Sequence, residues 1–402
     1  MKNKLFWRFL GNEKKYLTKI LSRGLRPKKE KNYNLLLERK WSLFHKIKYS
    51  ITVNSCTSAL HVALLALDLK KGDEVLVSSL TPAMCGYAII YSGLIPVFVD
   101  VENDTFLMDP IDLEKKITKK SKAIILVHMY SGVCEGAVFK KIAKRHNLKI
   151  IEDCAESLGA RDTKGNLTGT IGDIACWSFQ YAKHLTCGDG GIISTNNKKL
   201  AENIRKFSNL GFRFLKADGD KIKINKKNLQ NPKTKRFSLV GYNYRMNEFS
   251  ACIALAQLER VEYFLKLRRY VGIRMLNIIK NSNFLIPQKM GKNLYSTFYT
   301  LPAIINNKKL QRNKFADMFV KNGGDSIYAA SQILQNEPSI QNSGVGKCYS
   351  SCKKDCVKKC YGTPIAKSLQ KKILAFCTNQ GSIQDASRQL KALSKTIKFF
   401  NE

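Results

Sequence analysis

Residues 150–160 read IIEDCAESLGA, an apolar run that ends in two adjacent carboxylates, Glu152 and Asp153, ahead of a turn of small residues. The β-branched start predicts a strand, and the polar and glycine residues behind it mark where that strand stops. Asp153 then stands at the carboxyl end of a buried strand, the edge at which open α/β sheets take their ligands. A carboxylate buried there requires a positive partner. Read alone, the same residue serves equally well as the cap of a following helix.

Outward from this segment the pattern repeats. Short β-branched runs predict strands over 50–53, 74–78, 96–101, 123–127, 149–152, 174–179 and 191–195, and apolar residues at three-to-four spacing predict helices over 58–69 and 138–146. Such alternation predicts an α/β fold, a mostly parallel central sheet with helices on both faces. The lysine-rich stretch 216–236 lacks periodicity, contains Pro232 and reads as a loop, whereas 247–281 resumes helical spacing as one long element. Past residue 282 a strand is expected over 295–304 and helices over 309–321, 365–376 and 384–399, the last opened by a capping box of Ser382 and Asp385. The division expected is a large domain over 1–281 and a smaller carboxy-terminal α+β domain over 282–402.

Chemistry enters with residues 178–191, SFQYAKHLTCGDGG, where a strand runs into a glycine-rich turn that carries one lysine, Lys183. An isolated lysine is ordinarily a solvated charge. Lys183 instead follows an apolar strand, precedes a tight turn and lies 30 residues after Asp153. Its amine is the side-chain group that condenses with a carbonyl to a Schiff base. A protonated pyridine ring would supply the cation Asp153 needs, and the pair would make that ring an electron sink. Residues 54–60, NSCTSAL, pass from a strand through a small polar turn into a helix whose first amides, with the hydroxyls of Thr57 and Ser58, form a phosphate site. Plain capping by Thr57 or Ser58 is the bland alternative. GYNYRM, 241–246, stands directly before the long helix and says little by itself.

Taken in order, a phosphate turn, a strand-end aspartate and a lysine on a later turn are the layout of fold-type I enzymes that use pyridoxal 5′-phosphate (PLP). More closely, the sequence resembles the DegT/DnrJ/EryC1/StrS family of sugar aminotransferases over nearly its whole length. The resemblance rests on NSCTSALHVALLAL, GDEVLVSSLT, PVFVDVENDTF, KAIILVHMY, IIEDCAESLGA, SFQYAKHLTCGDGG and GYNYRMNEFSACIALAQLERV, in one order along the chain.

The resemblance implies that Lys183 is the lysine joined to the cofactor, moving a proton between cofactor and substrate carbons, and that Asp153 is the partner of the ring nitrogen. Glu156 stands where members carry Gln, His or Glu beside the cofactor. Thr57, Ser58 and Ser178 match phosphate contacts, and Asn243 matches one donated from the neighbouring subunit, which implies an obligate homodimer with shared active sites. Many members follow the Thr at position 81 with an aromatic that stacks on the ring; here Pro82, Ala83 and Met84 follow, so Pro82 or Met84 is the expected cover. Asp189 replaces a frequent Glu. In a subset of the family, the regions matching GGDSIYAASQILQNEPSI and Phe376 to Asn379 help bind the nucleotide-sugar.

The reaction implied moves an amino group from glutamate or glutamine onto a nucleotide-linked keto-deoxysugar, at C4 or C3. Within PLP chemistry the alternatives are a sugar dehydratase or a cyclitol aminotransferase; relatives that lost the lysine became dehydratases, and Lys183 is present. Outside it stands a non-catalytic homologue that binds anionic surfaces.

Composition bounds the rest. The chain has 402 residues, 44% apolar, and a formal charge of +38 from 69 Lys/Arg against 31 Asp/Glu. The excess is mostly lysine and spread along the chain, without the Arg and aromatic interleaving of a base-stacking surface, so specific nucleic-acid binding is not expected. It is densest over residues 1–50, where any weak attraction to an anionic membrane surface would concentrate. No stretch predicts a spanning helix, and MKNKLFWRFL is too short in its apolar part for a signal peptide, so a cytoplasmic protein with reduced cysteines is expected. Cys348, Cys352, Cys356 and Cys360 recur every fourth residue, a spacing unlike that of zinc knuckles, and read as part of a lysine-flanked variable loop; no metal site is expected.

Overall fold

Strands that are apolar on both faces have to be covered on both faces, which is why parallel sheets lie inside α/β proteins. In the computed structural model, which describes residues 6–25, 32–219, 226–307, 309–328, 332–343 and 362–401, the aliphatic runs form such a sheet. Its strands are β1 (Tyr49–Val53), β2 (Glu74–Ser78), β3 (Ile95–Val99), β4 (Ser121–Val127), β5 (Lys149–Asp153), β6 (Ile174–Ser178) and β7 (Gly191–Thr195), in the order β1-β7-β6-β5-β4-β2-β3. All seven are the strands expected from the sequence. Pairings from β3 through β6 are parallel, and β7 runs antiparallel to both β1 and β6. The start of β7 is therefore level with two strand ends, Gly191 pairing with Val53 on one side and Ser178 on the other.

Covering helices follow from the same runs: Cys56–Ala66 after β1, Ala83–Tyr91 after β2 and Gly136–Arg145 after β4. The first is apolar nearly all round and is buried from Ser58 to Leu64, as a helix wedged against the sheet must be. The two carboxylates that end β5 divide by strand alternation. Glu152 turns away from the ligand edge and accepts from the amides of Gly169, Ile171 and Gly172, at 2.7 to 2.8 Å, with His128 Nε2 at 3.0 Å. Gly169 has a positive φ of 89°, and a Cβ there would lie 2.1 Å from the Trp177 ring, so only glycine fits.

Beyond the main sheet the structure departs from expectation in three places. Residues 247–281 form two helices, Glu248–Leu258 and Val261–Ile279, interrupted at Glu259 and Arg260. Val261 and Leu265 of the second pack in an apolar cluster with Trp41 and Trp177, whereas Val271, Met275 and Ile279 pack in another with Phe315, Phe376 and Leu393. The stretch 365–376 is a helix, Pro364–Gln370, followed by strand β10 (Ile373–Cys377), because ILAFC pairs with β9 (Thr300–Ile305) in a three-stranded antiparallel sheet completed by β8 (Leu285–Pro287). Within 216–236 a short helix, Lys226–Gln230, interrupts the expected loop. The last helix, Ile383–Asn401, begins as anticipated: Asp385 N donates to Ser382 Oγ at 3.1 Å, and that hydroxyl donates to Asp385 Oδ2 at 2.8 Å.

Among the described residues no helix is long and apolar enough to cross a membrane, and all eight described cysteines are free thiols. The fourfold cysteine repeat at 348–360 lies outside the described residues.

Candidate active site

Reversal of β7 brings the ends of β1, β5 and β6 and the start of β7 to one edge, where a cavity of about 400 Å³ opens. Thr57, Asp153, Glu156, Ser178 and Lys183, which are scattered over more than a hundred residues of sequence, all line it. Asp153 is 5% exposed. Its Oδ1 accepts from Ala155 N at 3.0 Å and its Oδ2 from the Cys85 thiol at 3.1 Å. Neither partner carries a positive charge, and among the described residues no cation pairs with this buried carboxylate, although such a group requires one.

Lys183 occupies the connection from β6 to β7. Its amide closes a tight turn onto Gln180 O at 2.9 Å, and Phe179 N bonds Gly190 O at 2.9 Å where the chain returns. The side chain is 13% exposed; its Nζ lies 3.3 Å from Glu156 Oε1 and 4.3 Å from the centroid of the Tyr299 ring. Glu156 Oε2 accepts from Tyr130 N at 2.9 Å. Burial holds the Glu156 carboxyl above the usual carboxylate range, with the Lys183 ammonium opposing it. An amine beside a buried carboxyl that holds its proton more tightly than usual is the arrangement of an acid–base pair.

At the end of β1, Ser55 caps the Cys56–Ala66 helix, accepting from Ser58 N at 3.1 Å. The alternative that Thr57 or Ser58 merely caps the helix does not hold: Ser55 caps it, and Thr57 lines the cavity. Ser58 is buried, its hydroxyl 2.9 Å from Ser55 Oγ, and it is not part of the cavity wall. A Cβ on Gly191 would lie 2.7 Å from the Ser55 carbonyl carbon, so that glycine lets β7 pass tightly beneath the helix start. Asn243 is exposed and stands away from this cavity, its backbone bridged to Asn209. Pro82 and Met84, the two expected ring covers, both line the cavity.

Sequence reasoning missed Tyr299, Tyr130 and Cys85, and named the segment that holds Tyr328 without singling that residue out. Tyr299 and Tyr328 close the cavity from the carboxy-terminal side, with Tyr299 Oη donating to Tyr328 Oη at 2.7 Å. Burial pushes the Tyr299 phenol far up. No local pattern marks either tyrosine; only the fold carries residues so far along the chain back to β5 and β6.

A family profile, the DegT/DnrJ/EryC1/StrS aminotransferase family, matches residues 11–369. The chain belongs to this family. As a DegT/DnrJ/EryC1/StrS member it is 35% identical, over 316 residues, to the GDP-perosamine synthase of Escherichia coli O157:H7, an alignment covering 77% of this chain and 80% of that one. An aminotransferase from Psychrobacter cryohalolentis shares its fold, with a TM-score of 0.83 at 23% identity over 97% of each chain. So does an E. coli GDP-4-keto-6-deoxy-D-mannose-3-dehydratase with bound hydrated PLP, at TM-score 0.78 and 21% identity, covering 95% of this chain and 96% of that one.

The residues of this family member fit PLP. Asp153 offers a buried carboxylate in want of a cation, Lys183 an amine across the same cavity, and the helix start at 56–57 exposes amides that suit an anion. The cavity volume lies within the range of small-molecule and cofactor sites.

Proposed function

We propose that this chain is a PLP-dependent aminotransferase that passes an amino group from glutamate or glutamine to the keto group of a nucleotide-linked 4-keto-6-deoxysugar. The observation that carries this reading is that Lys183 and Asp153 face one cavity, with Glu156 held 3.3 Å from the lysine. When bound, PLP supplies an electrophilic carbonyl and an electron-withdrawing ring. Asp153, backed by the Cys85 thiol and Ala155 amide, would hold a proton on the ring nitrogen; Thr57, Ser178 and the first amides of the Cys56–Ala66 helix would hold the phosphate, and Pro82 and Met84 would cover the ring. Lys183 Nζ would relay the proton in each half-reaction, taking it off the donor's α-carbon in the first and delivering it to the sugar carbon in the second, with Glu156 steadying the ammonium during each transfer. Tyr299 and Tyr328 shut water out on the remaining side.

Likeness to GDP-perosamine synthase favours amination at C4 of a GDP-linked sugar, in the supply of cell-surface polysaccharide such as an O-antigen. Asn243 is proposed to reach the phosphate in a second copy's cavity, so that the working unit is a homodimer. Around Asn243, Tyr242 and Tyr244 stack at 5.0 Å, and Phe237 and the 89% exposed Val240 leave an apolar face that a second copy would cover. A cytoplasmic place goes with a nucleotide-sugar substrate, and the basic amino-terminal segment adds at most a weak, salt-screened attraction to anionic membranes.

The test is incubation of PLP-loaded protein with GDP-4-keto-6-deoxymannose and glutamate, followed by mass spectrometry of the product. An amino sugar is expected. A product without nitrogen would replace this reading with the dehydratase one that the resemblance in fold suggests. Lys183→Ala should lose the visible cofactor band and lower turnover by about 10²–10⁴-fold or more.

A further inference from the structure

The turn that carries Lys183 is held from beneath by two arginines far away in sequence. Arg8, in the 3₁₀ turn Phe6–Phe9, donates to Tyr181 O at 2.7 Å, Lys183 O at 2.5 Å and His184 O at 3.1 Å. Arg268, in the Val261–Ile279 helix, donates to Ala182 O at 3.2 Å, Lys183 O at 3.4 Å and Tyr299 O at 2.8 Å. All four successive carbonyls from 181 to 184 therefore converge on two guanidiniums. Arg8 is 1% and Arg268 2% exposed, and among the described residues neither meets a carboxylate.

Burying two cations without counter-ions is costly, and only a dense set of carbonyl acceptors offsets it. An apolar core would have stabilised the turn without that cost. The guanidinium fork has a property an apolar contact lacks: it binds several acceptors at fixed angles, so it fixes orientation as well as place. With the carbonyls drawn down to the arginines, the Lys183 side chain leaves toward the cavity, where Nζ meets Glu156 and the Tyr299 ring. The amino-terminal turn is itself anchored on three sides. Arg8 O accepts from Gln257 Nε2 and, at 3.3 Å, from Arg260 Nη1; the Trp7 ring meets Phe264 edge-on at 5.8 Å; and Gly381 packs so closely on Trp7 that a Cβ would lie 2.3 Å from it.

We propose that Arg8, delivered by the amino-terminal turn, and Arg268 are positioning residues for Lys183, holding carbonyls 181–184 so that its amine is aimed at the cofactor. This rests on the PLP reading above. Neither arginine touches the reacting atoms; both act through the backbone. Misplacing a reacting group by about an ångström costs on the order of 100-fold in rate.

The experiment compares full-length parent, Arg8→Met and Arg8→Lys by three readouts: the rate at which cofactor-stripped protein regains the visible band on mixing with PLP, kcat and KM for the keto-sugar, and the melting temperature of the stripped protein. Arg8→Met should regain the band about 10-fold more slowly or worse and lose about 100-fold in kcat, with KM little changed. Arg8→Lys keeps charge and stem but has a single donor head, and should fall in between. If Arg8→Met melts lower yet captures PLP and turns over like the parent, the arginine is structural only and the proposal is overturned. Should Arg8→Met not fold, Arg8→Lys decides, and parent-like capture by it overturns the proposal equally. A parent that binds no PLP would instead bring down the functional reading on which this one stands.

Discussion

His45 shows how one residue couples packing to pH. It is fully buried in an aromatic cage, stacked on Trp41 at 4.4 Å and near Trp177 at 4.6 Å, with Nδ1 3.3 Å from Trp41 O and Nε2 without a partner. Burial depresses its pKa to about 3. A depressed folded value means that the neutral ring's contribution is whole above the unfolded value near 6.5 and is lost as pH falls below it. Between about pH 7 and pH 5 this single site should remove roughly 2 kcal/mol from the unfolding free energy. His45→Phe should flatten that part of the profile while costing under about 1.5 kcal/mol at neutral pH; denaturant titrations at the two pH values measure both. An equally steep acid loss in the variant would place the sensitivity elsewhere.

Among elements, the Tyr33–His45 helix is joined to β1 and to the Lys198–Ser208 helix by one buried ion pair. Glu38 Oε2 accepts from Arg205 Nη2 at 2.7 Å, and its Oε1 accepts from both the amide and hydroxyl of Thr52, at 2.9 and 3.0 Å. Arg205 also donates Nε–H to Ala217 O at 2.9 Å. Glu38→Ala should cost about 3–5 kcal/mol, because it strands a buried guanidinium, and Glu38→Met with Arg205→Met together should cost much less than the sum. Equilibrium unfolding of the three variants reads this directly; additive losses would show that the pair does not act as a unit. The same scale explains the misread elements. ILAFC follows a helical sequence closely enough to extend its apolar period, and only pairing with β9 makes it a strand. The break after Leu258 leaves no strong mark because Glu259 and Arg260 are themselves good helix formers.

For the whole molecule, the placement of Asn243 is the consequential feature. It is exposed and away from the cavity of its own chain, so the homodimer reading makes a distinct prediction. Lys183→Ala and Asn243→Asp proteins, each poorly active alone, should regain activity when unfolded and refolded together, since a mixed dimer contains one site with both residues intact. Restoration up to about a quarter of parent activity is the statistical expectation for random pairing of two copies. No restoration, with mixed dimers demonstrated by mass, would place Asn243 outside the active site. The charge of +38 bears on solubility and on association with anions, and it selects no fold.

By itself the sequence determined the seven strands of the main sheet, since aliphatic runs bounded by turn residues have few other ways to be buried. It also supplied the chemical alphabet of the candidate site, because Asp153 stands at a strand end and Lys183 on the turn beyond one, where side chains meet solvent and ligand rather than the core. Tertiary structure alone decided what surrounds them. Cys85 against Asp153, Tyr299 and Tyr328 across the cavity, and Arg8 and Arg268 beneath the lysine turn come from distant elements, and no local period encodes contacts between chain positions separated by up to 176 residues. Ser55 rather than Thr57 or Ser58 caps its helix for a related reason: the three lie within one turn of chain, and β7 packing against Ser55 picks which hydroxyl faces the amides.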